Sequence, residues 1–345
     1  MATNMEKITI KDIARALNLA SSTISRAMNS SYQISEATQR MVKEYAAKHN
    51  YHPNIMAQSL RGNKSRSIGV LFPTVANNFF AEVMNGIESI ANKGNYQVTI
   101  AQTHESAARE LEHIQHLKLR SVDGLLISLA TQTTDLSYLN RLMDEGFPIV
   151  FFDRVINRGD AHCVVADNAG GSFEATCHLI QNGYKKIAHI TSSANISITK
   201  ERLDGYCKAL NAGGIALNKN YIRYCEYGGM NDDEVETAIN ELLSMKEPPN
   251  AIITASDRIT IKGFSVLKKL GIAIPGQVAL AGFSNFSAPE LFDPSLTTIK
   301  QPAFEMGKTA IELLIKQIES KKPIKQFEKK ILPTELQIRN STLRK

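Results

Sequence analysis

Five side chains able to hydrogen-bond stand within six positions near the start of the chain: Ser21, Ser22, Thr23, Ser25 and Arg26. Small hydroxyls at a helix start suit bonds to phosphate oxygens and base edges, and a guanidinium suits a bidentate contact with guanine O6 and N7. Farther along, Asn77, Asn78, Phe79 and Phe80 follow a β-rich run and suit a sugar. Their amides would bond hydroxyls and their rings would cover C–H faces. The same four residues also fit a helix cap at Asn78 with core packing by the rings, and the sequence leaves both readings open. Asp153 and Arg154 end another β-rich run, where they serve either a cleft or a mutual or surface ion pair.

Several motifs fall short of the chemistry they suggest. Residues 62–65 echo the end of a phosphate-binding loop, but Asn63 stands where glycine must precede the lysine. Gly282-Phe283-Ser284 lacks the second glycine of a nucleophile elbow. His113 and His116 have helical metal-ligand spacing without a third ligand nearby, so a solvated face is the expectation. Cys163, Cys177, Cys207 and Cys225 are too scattered for a disulfide scaffold or zinc ribbon and read as apolar packing residues. With no nucleophile paired to a base, an enzyme is not expected, and neither is a metal or other cofactor.

Charge divides the chain. The 345 residues carry a net charge of +6, and residues 1–66 hold ten Lys/Arg against four acids, which is all of that excess. A basic head on a neutral body suggests a polyanion partner. Thr9-x-x-Asp12 has the form of a capping box, and Ile10, Ile13, Ala14 and Leu17 follow at helical spacing. Asn18 suits a left-handed turn, and a second helix begins at Ser21 or Ser22 with Ile24, Ala27 and Met28 on its apolar face. Ser35 caps a third helix that stops before Tyr51-His52-Pro53. Three short helices with a tight first turn make a helix-turn-helix whose second helix would enter the major groove. Residues 53–60 form a marginal helical turn or two, followed by the polar, basic stretch 61–66.

The body alternates β-rich runs (68–72, 96–101, 124–128, 149–152, 164–166, 186–190, 222–225, 251–254, 278–281) with amphipathic stretches (82–91, 107–119, 172–181, 202–211, 234–243, 261–270). Such alternation predicts parallel α/β sheets, and so many strands predict two lobes with a ligand cleft at the carboxyl ends of the strands. The residues at 1–12 lack an apolar signal core, and no apolar run reaches the ~18 residues of a membrane span. A cytoplasmic protein with no membrane partner is expected.

The sequence resembles the LacI/GalR family of bacterial transcription regulators. The likeness is carried by Ile8-Thr9-Ile10-Lys11-Asp12-Ile13-Ala14, by Ser22-Thr23-Ile24-Ser25-Arg26-Ala27-Met28-Asn29, and by Tyr51-His52-Pro53-Asn54 with Ala57 and Leu60. In the body it is carried by Asp153-Arg154, Asp167-Asn168, Arg202-x-x-Gly205-Tyr206 and residues 294–302. The resemblance implies a helix-turn-helix domain at 1–53, a hinge helix and linker at 54–66, and an effector-binding and dimerisation domain at 67–345. The fold it implies is α/β: a two-lobed periplasmic-binding-protein-like core of parallel sheets with a small all-α head, crossing between lobes near 163–167, 290–298 and 322–328. It implies that paired hinge helices enter the minor groove, with Leu60 as a wedge that kinks the DNA. Base-reading positions fall on Ser21, Ser22 and Arg26.

The resulting DNA-contact set is Thr9, Ser21, Ser22, Thr23, Ser25, Arg26, Asn29, Ser35, Thr38, Asn54, Ala57 and Leu60. The effector set is Asn77, Asn78, Phe79, Phe80, Asp153, Arg154, Arg202, Ser256 and Ser284. Ser256-Asp257 and Ser284 depart from the Asn-Asp and the aspartate of many relatives, which suggests fewer carboxylates in the cleft and an anionic or phosphorylated sugar. The expected function is a sequence-specific repressor acting as a homodimer on a pseudo-palindromic double-stranded DNA operator, under a sugar or sugar-derivative effector. The chain lacks a leucine-rich tail, so a dimer is expected. The competing reading is a cytoplasmic sugar-binding sensor that acts through a protein partner.

Overall fold

The computed structural model describes residues 8–28, 31–51, 64–156, 159–321 and 326–344, which fall into two compact units, 1–65 and 66–345. In the first unit, α1 (Ile10–Ala16), α2 (Ser21–Met28) and α3 (Glu36–Lys48) enclose Ile13, Ala14, Ile24, Ala27, Val42 and Ala46. Thr9 caps α1 and its capping box with Asp12 is complete. Asn18 takes a φ of 51°, the left-handed conformation that asparagine tolerates in a tight turn. Ser35 caps α3.

The second unit holds two six-stranded sheets. Lobe 1 contains β1 (Ser67–Phe72), β2 (Gln97–Gln102), β3 (Gly124–Ile127), β4 (Ile149–Phe152), β5 (His162–Ala166) and β11 (Lys329–Leu332), in the order β11-β5-β4-β3-β1-β2, all parallel. Lobe 2 contains β6 (Ile187–Ser192), β7 (Ile222–Cys225), β8 (Ala251–Thr254), β9 (Ala279–Phe283), β10 (Thr297–Lys300) and β12 (Glu335–Gln337), in the order β12-β10-β9-β8-β6-β7, with only β12 antiparallel. Because parallel sheets bury both faces, their strands read as nearly continuous apolar runs.

Lobe 1 is covered by α4 (Asn78–Ala91) and α11 (Ala303–Glu319) on one face and by α5 (Ala107–Leu119) and α6 (Ser137–Asp144) on the other. In lobe 2, α7 (Asn168–Gln181) and α8 (Ser197–Ala212) cover one face, and α9 (Asp232–Leu243) and α10 (Asp257–Lys269) the other. The helices α4 and α11 touch backbone to backbone. A Cβ on Gly86 would collide with the Phe304 carbonyl, and one on Gly307 with the Val83 carbonyl.

The chain crosses between lobes after β5, between β10 and α11 at 300–303, and between β11 and β12 at 332–335. The second and third crossings thus fall later than the 290–298 and 322–328 expected from the resemblance. The run at 297–300 is still a lobe 2 strand, buried at Thr297–Ile299. After α11 the chain adds one more lobe 1 strand, β11, before it returns.

Candidate effector cleft and nucleic-acid interface

Helix α2 turns two faces in different directions. Ile24 and Ala27 are fully buried against the other helices, while Ser22 and Arg26, one turn apart, are exposed together. Ser21, Thr23 and Ser25 are half-buried beside them. The other predicted DNA contacts of the head have local work. The Thr9 hydroxyl donates to Asp12 Oδ2 at 2.6 Å, and the Ser35 and Thr38 hydroxyls bond each other at 2.9 Å. Asn29, Asn54, Ala57 and Leu60 lie outside the described residues.

In the body, the candidate effector residues come from both lobes. Asp153 follows β4 at a φ of 59°, a conformation that costs a non-glycine residue of order 1–3 kcal/mol and is found where a site demands it. It is buried, within 3.4 Å of the Ser128 hydroxyl that donates to it. Burial pushes its carboxyl up from the usual range, against the opposing pull of Arg154 and of Arg202 from lobe 2. Arg202 projects from α8 and is 2% exposed. Its Nε donates to Asn168 Oδ1 at 2.9 Å, its Nη1 to the Ala255 carbonyl at 2.6 Å, and its guanidinium lies 3.8 Å from the centre of the Phe283 ring. Burial pulls its pKa down to about 10, so it stays charged at neutral pH. Asp153 and Arg202 thus attract each other electrostatically as one acid and one cation from different lobes.

Arg154 has a different situation. Its Nη1 donates to Glu105 Oε2 at 2.6 Å and to the Leu129 carbonyl, and Asp153 lies 3.9 Å from its Nε. The pair is internal to lobe 1, with Glu105 buried and Arg154 nearly so, and the ion-pair alternative describes Arg154 better than a free cleft cation does. Burial raises the Glu105 carboxyl, but Arg154 and two bonds from Thr131 outweigh it and hold the group below its ordinary value. Arg258, on the first turn of α10 in lobe 2, is electrostatically coupled to Glu105 and Arg154. Sequence reasoning had no signal for Glu105 or Arg258, because each is joined to Arg154 only by the fold.

The Asn77–Phe80 segment also needs correction. Asn77, not Asn78, caps α4, accepting from the Phe79 N–H at 2.8 Å. Phe79 and Phe80 are each 4% exposed and lie in the lobe 1 core, with Phe80 stacked 5.2 Å from Phe72. The rings therefore pack rather than line an open face. Ser256 caps α10, accepting from the Ile259 N–H. The Ser284 hydroxyl donates to Asp257 in a short bond. That contact returns a carboxylate to the place where Ser284 had suggested a loss.

Among the described residues, no group of three or more His, Cys, Asp or Glu is arranged to hold a metal ion, and no helix is long and apolar enough to cross a membrane.

Comparison with known proteins agrees with both units. Residues 9–54 match the model for bacterial regulatory proteins of the lacI family. Residues 65–340 match the model for periplasmic binding proteins and the sugar-binding domain of that family. The HTH-type transcriptional repressor PurR of Vibrio atlanticus (strain LGP32) is 32% identical over 314 residues, covering 91% of this chain and 92% of the relative. The ribose operon repressor of Haemophilus influenzae (strain ATCC 51907 / DSM 11121 / KW20 / Rd) is also 32% identical, over 317 residues, covering 90% of this chain and 92% of the relative. Among solved structures, the complex of the transcriptional regulator CelR with cellobiose superimposes with a TM-score of 0.72 at 26% identity, covering 97% of this chain and 99% of that one. A helix-turn-helix head, a two-lobed ligand-binding body and repressor relatives along nine-tenths of the chain make this protein a DNA-binding transcriptional regulator, and it belongs to the LacI family of bacterial regulatory proteins.

Proposed function

We propose that the protein is a homodimeric, cytoplasmic repressor without catalytic activity, whose grip on a two-fold operator is set by a sugar or sugar derivative held between the lobes. The observation that carries this reading is the electrostatic attraction between Asp153, which follows β4 of lobe 1, and Arg202, on α8 of lobe 2. A ligand that bonds both would favour one angle between the lobes over another. A ligand shifts such an equilibrium only by its difference in affinity for the two states, and contacts drawn from both lobes supply that difference. The direct contacts are Arg202, Asp153 and the Asp257–Ser284 pair. Arg154 acts through Glu105 to hold the Asp153 turn.

In the head, Ser21, Ser22 and Arg26 read base edges while the neighbouring Thr23 and Ser25 hydroxyls meet the DNA backbone. Each subunit of the dimer takes one half-site. PurR of Vibrio atlanticus and the ribose operon repressor of Haemophilus influenzae are each 32% identical to this chain, so the ligand screen spans more than one chemical class. A thermal-shift screen of sugars, sugar acids and sugar phosphates, followed by a DNA retention assay with each hit, tests the proposal. It expects a hit that changes DNA retention. A protein that passes through duplex DNA at low salt instead supports the sensor reading with a protein partner.

A further inference from the structure

The lobes are bonded to each other beside the cleft by a residue that the effector reading does not require. Asn285 follows Ser284 on the loop after β9 of lobe 2 and is 2% exposed. Its side-chain Oδ1 accepts from the Gln301 N–H at 3.1 Å, and its Nδ2 donates to the Gln301 carbonyl at 2.9 Å and to Glu82 Oε2 at 3.0 Å. The opposite orientation of the amide would turn its oxygen toward two acceptors, so these partners fix the orientation. Gln301 lies in the second crossing, and Glu82 is on α4 of lobe 1. Through Gly86 and Gly307, α4 is in backbone contact with α11, which begins two residues after Gln301. One side chain therefore touches the cleft loop, the crossing and the helix pair of the other lobe.

We infer that Asn285 is a positioning residue that sets the angle between the lobes and passes movement of the Asp257–Ser284 loop to α4 and α11. The link to regulation rests on the effector reading; the latch between lobes does not. A second contact offers an independent reporter. The Val155 N–H, after β4 of lobe 1, donates to the Ser197 hydroxyl at the start of α8 in lobe 2, at 3.3 Å. Its protection from hydrogen exchange follows separation of the lobes, whereas that of Val70, in the middle of β1 between two parallel strands, follows unfolding of lobe 1.

The test is amide exchange on the full-length protein without ligand. Loss of a part-buried bond to a charged acceptor is expected to lower Val155 protection by about tenfold in Asn285→Ala and in Glu82→Ala, with Val70 unchanged. Glu82→Gln keeps an acceptor oxygen and is expected to stay within about threefold of the parent. Unchanged Val155 protection in folded Glu82→Ala overturns the inference. Equal losses at Val155 and Val70 also overturn it, because they mark a purely structural residue. With no ligand in the experiment, failure here leaves the effector reading standing, and a failed ligand screen leaves the latch standing.

Discussion

Replacing Arg202 with methionine separates a ligand-binding arginine from a structural one. The native guanidinium makes two charge-assisted bonds, to Asn168 and to the Ala255 carbonyl. Such bonds contribute about 1.5–3 kcal/mol each. Against this stands the burial that pulls its pKa from 12.5 to about 10. At ~1.4 kcal/mol per unit, keeping the charge inside costs about 3.5 kcal/mol, and the substitution relieves that cost. Methionine also fills part of the volume over Phe283, so the cavity is smaller than alanine would leave. The net loss for the ligand-free protein is therefore at most about 2.5 kcal/mol, and Arg202→Met should fold and bind operator. Ligand affinity should fall by about tenfold or more, since the lost contact to a ligand hydroxyl or acid is worth at least ~1.4 kcal/mol. The assay measures melting temperature, ligand affinity and operator affinity on one preparation. A folded Arg202→Met protein with an intact ligand response refutes the reasoning. So does a variant that loses folding and both activities together.

Arg26→Ala should weaken specific DNA binding by about 1–3 kcal/mol and relax one base preference; competition between operator variants measures this, and equal weakening on every sequence would assign Arg26 to phosphate alone. Gly86→Ala should destabilise the protein by more than about 2 kcal/mol in denaturant unfolding, because its methyl meets the Phe304 carbonyl and two packed helices must separate. His189 is fully buried, stacked on Tyr206, and held down to about 3 by burial and by Arg202; both ring nitrogens lack a hydrogen-bond partner among the described residues. A depressed histidine binds fewer protons when folded than when unfolded, so stability is lost as pH falls below about 6.5. That loss reaches about 2 kcal/mol at pH 5, and denaturant unfolding at pH 7 and 5 should show His189→Phe losing less stability on acidification than the parent by that amount.

The head was legible because its signals are local. A capping box, a left-handed asparagine and a serine cap each lie within a few residues of the groups they bond, and Thr9, Asn18 and Ser35 take those roles. Most body strands were legible because burial on both faces gives them unbroken apolar runs. The missed elements lack that mark. Strand β11 carries Lys329 and Lys330 exposed at a sheet edge, where lysine deters further pairing. Helix α7 begins at Asn168, four residues before the expected start, because Gly170 and Gly171 lower its propensity. Gly171 is needed there, since a Cβ would press on Thr334 and Ile299. Arg202 was legible from the resemblance and Asp153 from its place after a β-rich run, but their partners were not. Glu105 meets Arg154 across 49 residues, and Asn285 meets Glu82 across 203, so no spacing rule connects them. Phe79 and Phe80 fit both a ligand platform and core packing, because a ring that faces a core and one that faces a ligand have the same sequence signature, and only the fold places them in the lobe 1 core.

The central claim is that DNA and a cleft ligand act on one another through this chain. Its most direct test is operator affinity measured across a titration of the ligand returned by the thermal-shift screen, with the reverse titration of ligand against operator. Linkage predicts a shift of about 5–150-fold in operator affinity and the same factor in ligand affinity. Operator binding that is indifferent to a saturated cleft would contradict it.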